Sequence, residues 1–122
     1  MNLIWIIIGG GIGALVRYGT TLLCVRIFGP SFPAGTLAVN LSGCFLIGLV
    51  MGLAEAGPFV TPAFRLFFVT GFLGALTTFS TYAWESMYAI RNASMAAALL
   101  NILLNNLAGL SLVFLGFWLT KH

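Results

Sequence analysis

The sequence predicts an all-α membrane protein with four transmembrane helices, the third broken near residues 74–78, forming a single transmembrane domain over 1–122. Three observations lead there. Hydrophobic residues make up 61% of the chain and charged residues only 6%, against about 25% charged in a soluble domain. The charges leave uncharged runs at 1–16, 27–54, 66–84 and 92–120, and about 20 apolar residues suffice to cross a hydrocarbon core. Between the runs stand turn compositions: Gly29-Pro30-Ser31-Phe32-Pro33, Glu55-Ala56-Gly57-Pro58 and Arg91-Asn92-Ala93-Ser94, with Pro or Asn where a helix stops. The spans are expected near 3–27, 34–54, 63–90 and 95–119.

The same composition excludes whole classes of function. A chain of 122 residues has much surface for its volume, and so few charges cannot cover it in water. A soluble enzyme, a nucleic-acid binder and a disordered tail are all ruled out. The net charge of +3 rests on five scattered cations, with no Lys/Arg cluster to hold a phosphate backbone. Cys24 and Cys44 lie in apolar runs and read as small packing residues, without disulfide or metal spacing. The first apolar run has no positive region before it and reads as a retained span.

Four spans place both termini on one side of the membrane. Arg65 and Lys121 fall on that side, Arg26 and Arg91 on the other. This balance gives no positive-inside preference. Either one charge or the insertion machinery decides, or the chain inserts both ways and pairs with an inverted copy. Four helices pack around a filled core, so a transport route would lie at or beside an interface between subunits.

Span 1 carries Gly9, Gly13 and Arg17 on one line, with small residues that let helices approach closely. Arg17 should therefore point into protein, as an anchor or as part of an ion site. Span 2 carries Thr36, Asn40, Cys44, Gly48 and Gly52 four apart. Asn40 has two amide protons and an acceptor to satisfy, either by an interhelical hydrogen bond or by lining a watery path. In span 3, Gly71 and Gly74 precede Thr77, Thr78, Ser80 and Thr81. Glycines loosen a helix there and hydroxyls can replace lost backbone bonds. A break would expose carbonyls, which suit a cation, on one half and N–H groups, which suit an anion, on the other. After it, Thr77, Thr81 and Glu85 are expected on one line, and Phe79, Tyr82 and Ser86 on another. Ring edges are electropositive, so rings beside a hydroxyl track can meet a small anion or simply fill the core. Span 4 holds Asn101, Asn105 and Asn106, with the first two a turn apart.

Catalysis lacks its parts, so no enzyme is expected. The single histidine is His122, no Asp occurs, and Glu55 and Glu85 lie far apart in the chain. No Ser/His/Asp set, carboxylate pair or nucleotide fingerprint can be assembled. A channel, a carrier and an accessory membrane subunit remain. A small multidrug exporter would need an embedded carboxylate in span 1, where Arg17 stands instead.

Gly71-Phe72-Leu73-Gly74-Ala75-Leu76-Thr77-Thr78-Phe79-Ser80-Thr81-Tyr82 resembles the third-span signature of the fluoride ion channels, the CrcB or Fluc family. Gly10–Tyr18 with Arg17, Gly35-Thr36-Leu37-Ala38-Val39-Asn40 and the Asn-rich opening of span 4 agree with it in order and spacing. The resemblance implies an antiparallel, dual-topology homodimer in the bacterial inner membrane, with two pores that export fluoride passively. It implies a structural sodium at the dimer centre, held by the carbonyls of Gly74 and Thr77. It further implies a pore lined by Asn40 with Phe79 and Tyr82 as aromatic gates, and Ser80, Thr81 and Glu85 along a polar track. Thr36 would stand near the vestibule, with Asn101 and Asn105 at the span 4 positions. The partners implied are fluoride, the lipid bilayer and a second copy, with no nucleic acid. Two residues depart from the family's pattern: Ala75 replaces a usual glycine and Tyr82 a usual phenylalanine.

Overall fold

The computed structural model describes residues 2–121, so His122 lies outside the described residues. It is helical throughout, with no strand among the described residues. Four stretches are long and apolar enough to cross a membrane: Asn2–Phe28, Ala34–Ala56, Pro62–Asn92 and Met95–Lys121, here spans 1 to 4. The spans run a few residues beyond the expected limits at most ends. Spans 1 and 2 are continuous helices. A left-handed Gly29 with φ of 81° ends the first turn out of span 1, a conformation that glycine adopts without steric cost. Its N–H closes on the Val25 carbonyl at 2.8 Å.

Span 3 is not one helix. It opens with a turn, Pro62–Phe64, capped by the Thr61 hydroxyl. Arg65–Leu73 then winds as a π-helix and Gly74–Leu76 closes the leading half. The chain breaks at Thr77 and Thr78, both in extended conformation, and restarts as the helix Phe79–Asn92. Span 4 runs as Met95–Leu103, a π-helical stretch Leu104–Ala108 and Gly109–Lys121.

Glycines decide which helices meet. A side chain on Gly9 would collide with the backbone of Phe67 and Phe72, and one on Gly13 with the backbone of Phe72 and Leu76. Spans 1 and 3 therefore run parallel and touch main chain to main chain. Gly48 lies against Val113 and Phe117 in the same way, and Gly116 against Phe45 and Leu49, which makes spans 2 and 4 the second parallel pair. Without a hydrophobic drive between helices in lipid, such close packing is what holds a bundle together. Gly71 belongs to this packing, since its missing side chain would meet Ile6 and Gly10. Of the two glycines expected to loosen the break, only Gly74 stands in open surroundings.

The core is small: Val39, Leu73 and Leu76, with Leu46, Ile47, Phe68 and Phe72 against it. Most large apolar side chains of spans 1 and 4 are exposed, as suits contact with lipid or another subunit. At one end Lys121 Nζ meets Glu55 Oε2 at 3.1 Å, with both side chains substantially exposed. Exposed pairs contribute about 0–1 kcal/mol. Lys121→Ala should therefore leave the melting temperature of detergent-solubilised protein within a few degrees of the parent; a larger loss would mean that this pair anchors spans 2 and 4.

Candidate functional site

The break in span 3 is held from three sides. Arg17 Nε, on span 1, donates to the Ala75 carbonyl at 2.9 Å. On span 2, Asn40 Oδ1 accepts from the Thr78 N–H at 2.8 Å, while its Nδ2 donates to the Thr78 carbonyl at 3.1 Å. Asn40 thus grips both backbone groups of one residue, and its oxygen replaces the helical acceptor that the break takes from the Thr78 N–H. The Thr77 N–H and hydroxyl both turn back to the Leu73 carbonyl, at 3.1 and 3.0 Å. Thr77 consequently sits in the break, and the line expected for Thr77, Thr81 and Glu85 does not form: a shared helical face requires continuous winding, which begins only at Phe79.

From Asn40 a chain of hydrogen bonds crosses span 4 and returns to span 3. Asn40 Nδ2 donates to Asn105 Oδ1 at 2.9 Å. Asn105 Nδ2 donates to Asn101 Oδ1 at 3.0 Å and to the Asn101 carbonyl at 2.8 Å. Asn101 is 1% exposed; its Nδ2 donates to Ser86 Oγ at 3.0 Å, and that hydroxyl donates to the Tyr82 carbonyl at 2.9 Å. The amide orientations follow from the ends of the chain. The Thr78 N–H can only donate, so Asn40 must present its oxygen there; each amide after it is fixed in turn.

Beside this chain lies a cavity of about 360 Å³. Asn40, Gly43, Cys44, Gly74, Thr77, Thr78, Phe79, Tyr82, Asn105 and Asn106 are among its lining residues. The Phe79 and Tyr82 rings meet edge to face, with centroids 5.3 Å apart. Tyr82 is buried whereas Phe79 is 77% exposed, so the cavity opens at the subunit surface. Thr78 caps the trailing helix: its hydroxyl accepts the Thr81 N–H at 3.2 Å. Ser80 and Thr81 gather around that same hydroxyl, at 3.4 and 3.1 Å. The positive end of a 14-residue helix thus begins at the cavity wall.

Six of the expected site residues, Asn40, Gly74, Thr77, Phe79, Tyr82 and Asn105, line this cavity. Thr36 and Glu85 stand apart. They line a second cavity of about 290 Å³ under the turn between spans 1 and 2. Thr36 donates to Glu85 Oε2 at 3.0 Å, while Glu85 Oε1 is buried without a hydrogen-bond partner among the described residues. Asn101 and Arg17 line neither cavity and hold other groups in place.

Asn106, named in span 4 but left out of the expected pore residues in favour of Asn105, also lines the first cavity. Its Nδ2 reaches the Tyr82 hydroxyl at 3.0 Å and the Ile102 carbonyl at 2.8 Å. Neighbours in a regular helix point about 100° apart, so Asn105 and Asn106 compete for one face. The π-helical stretch Leu104–Ala108 widens the helix there, and both residues line the same cavity. No feature of the sequence marks that winding.

The break also leaves acceptors free. Among the described residues, no donor reaches the Gly74 or Thr77 carbonyl. Neutral carbonyl oxygens are suitable ligands for a hard cation, so these two fit a bound sodium, although one copy supplies only part of a coordination shell.

The chain was compared with known proteins. A family model described as CrcB-like protein, Camphor Resistance (CrcB), matches residues 4–117. A protein of Salinibacter ruber named fluoride-specific ion channel FluC is 47% identical over 116 residues, which cover 95% of this chain and 86% of the relative. Proteins of the same name from Shewanella amazonensis and Nitrosococcus oceani are 42% and 41% identical. Those matches cover 94% and 98% of this chain, and 92% and 96% of the relatives. The signature on both sides of the break, the four spans and likeness along nearly the whole length agree: this multi-pass membrane chain belongs to the CrcB family.

Proposed function

We propose that the protein is a fluoride-selective channel of the bacterial inner membrane, which lets fluoride leave the cell down its gradient. The observation that carries this reading is the cavity at the break, where ring edges and neutral hydrogen-bonding groups meet a helix N-terminus without a fixed charge. Fluoride holds its water tightly, so a pore must offer many replacement donors. A deep fixed cation would trap the ion, and conduction needs an exit as well as an entry. The names of the relatives support the same ion.

The working unit in this reading is an antiparallel homodimer with two pores. Gly74, with its free carbonyl, Ser80 and Asn106 are exposed on the single subunit within spans 3 and 4. Exposed polar groups in hydrocarbon are costly, and a second copy would cover them. The balance of cations across the spans permits both insertions. The carbonyls of Gly74 and Thr77 from both copies would hold a structural sodium, which supplies positive field and ties the two breaks together. Phe79 and Tyr82 act as aromatic gates, and Asn40 and Asn105 line the path. Ser80 and Thr81 continue it towards Thr36 and Glu85.

The test is ion efflux from liposomes that contain purified protein, with a potassium ionophore clamping the voltage. Fluoride should leave rapidly and chloride negligibly. Folded, inserted dimers that retain fluoride would overturn the channel reading.

A further inference from the structure

The hydrogen bonds around Tyr82 single out one proton. Asn106 Nδ2 lies 2.8 Å from the Ile102 carbonyl and 3.0 Å from the Tyr82 hydroxyl. A carbonyl can only accept, so the atom facing Ile102 must be the nitrogen and the amide cannot be flipped. Both of its protons are then placed, one on Ile102 and one on Tyr82. The tyrosine oxygen is therefore the acceptor in that contact, and its own proton has no acceptor among the described residues.

The amides beside it are in the opposite condition. Asn40 spends its protons on Thr78 and Asn105, and Asn105 spends both of its own on Asn101. Neither has an N–H left for an ion in this arrangement. Tyr82 and Asn106 line the same cavity as these amides and the Phe79 ring. An uncommitted hydroxyl proton is a stronger donor to a small hard anion than to a large diffuse one.

We propose that the Tyr82 hydroxyl is the hydrogen-bond donor that this cavity presents to fluoride, and that Asn106 is the residue that positions it. The assignment rests on the channel reading. Asn106 holds the oxygen lone pair and so turns the O–H away from itself and towards the open space. Where a phenylalanine would offer only a ring edge, this chain adds a directed donor.

The experiment is the concentration dependence of fluoride efflux for the parent, Tyr82→Phe, Asn106→Leu and the double variant. The half-saturating fluoride concentration should rise about tenfold in Tyr82→Phe, the size of one hydrogen bond to a charged partner. Asn106→Leu should raise it in the parent background and leave it unchanged when Tyr82 is already Phe. Addition of fluoride should also perturb the near-ultraviolet tyrosine spectrum of the parent and not that of Tyr82→Phe. A parent that carries no fluoride overturns the channel reading and this assignment with it. A conducting parent whose half-saturation and tyrosine spectrum are unaffected by Tyr82→Phe overturns this assignment alone. An Asn106→Leu shift of equal size in both backgrounds overturns the positioning role.

Discussion

Asn40→Ala is expected to lower fluoride efflux at least about tenfold and to loosen the break in span 3. The side chain satisfies three groups, the N–H and carbonyl of Thr78 and the side-chain oxygen Oδ1 of Asn105. Each costs about 1–3 kcal/mol when buried bare. Interhelical hydrogen bonds in membranes average only about 0.6 kcal/mol, because the freed groups find other partners. The Thr78 N–H has no such alternative, since the break has already removed its helical acceptor. A total of about 2–4 kcal/mol follows, with faster hydrogen exchange at Thr78 as the local readout. Asn40→Asp keeps an acceptor for the Thr78 N–H but sets its second oxygen against the Thr78 carbonyl and Asn105 Oδ1, so it should loosen the break as well, and its negative charge should keep efflux low. Asn40→Ala and Phe79→Ala proteins that both conduct like the parent would remove this cavity from the pathway.

Gly13→Ala should be among the most damaging single-methyl changes in the chain. The added carbon meets the main-chain carbonyl of Phe72 and the N–H of Leu76, neither of which can rotate aside. Overpacking of this kind costs about 1–3 kcal/mol, and the upper end applies where backbone must move. Span 1 would be pushed off the leading half of span 3, and Arg17 with it, off the Ala75 carbonyl that it holds one turn further on. Gly11→Ala is the control. It lies on the same helix with nothing within 4 Å, so it should be neutral or slightly stabilising, because alanine is the better helix former. The two variants are compared by thermal unfolding and by size-exclusion profile in detergent. Equal profiles would mean that the contact between spans 1 and 3 does not set the stability.

Much of this architecture was legible in the sequence because it depends on local composition and on spacing along one helix. Pro30, Pro33, Pro58 and Asn92 marked the turns, and the stripe of Gly9, Gly13 and Arg17 marked a packing face. The density of Gly, Thr and Ser in span 3 located the break to within a few residues. What stayed hidden depends on partners distant in the chain. Arg17 was expected to point inward, but its acceptor, Ala75, lies in another span. Gly71 looked like a loosening residue and is a contact for Ile6 and Gly10. The π-helical turn that gives Asn105 and Asn106 different partners has no residue signature of its own, and neither has the separation of Thr36 and Glu85 from the cavity of Phe79 and Tyr82.

The row of amides from Thr78 to Tyr82 has a further consequence, for motion. Each donor in it is committed by the one before, so the row has a single polarity, and reversing any one amide would set donor against donor or acceptor against acceptor. A transporter that alternates between two faces needs a core with two arrangements of comparable energy. This row has only one, and it stitches spans 2, 3 and 4 together at the depth of the cavity. Separating the helices around it would break several of these hydrogen bonds at once. Whatever yields as an ion passes must be lighter: a hydroxyl turning on its bond or a ring tilting, events of picoseconds to nanoseconds for exposed groups. A conduit that keeps its frame still has no cycle to complete between one ion and the next.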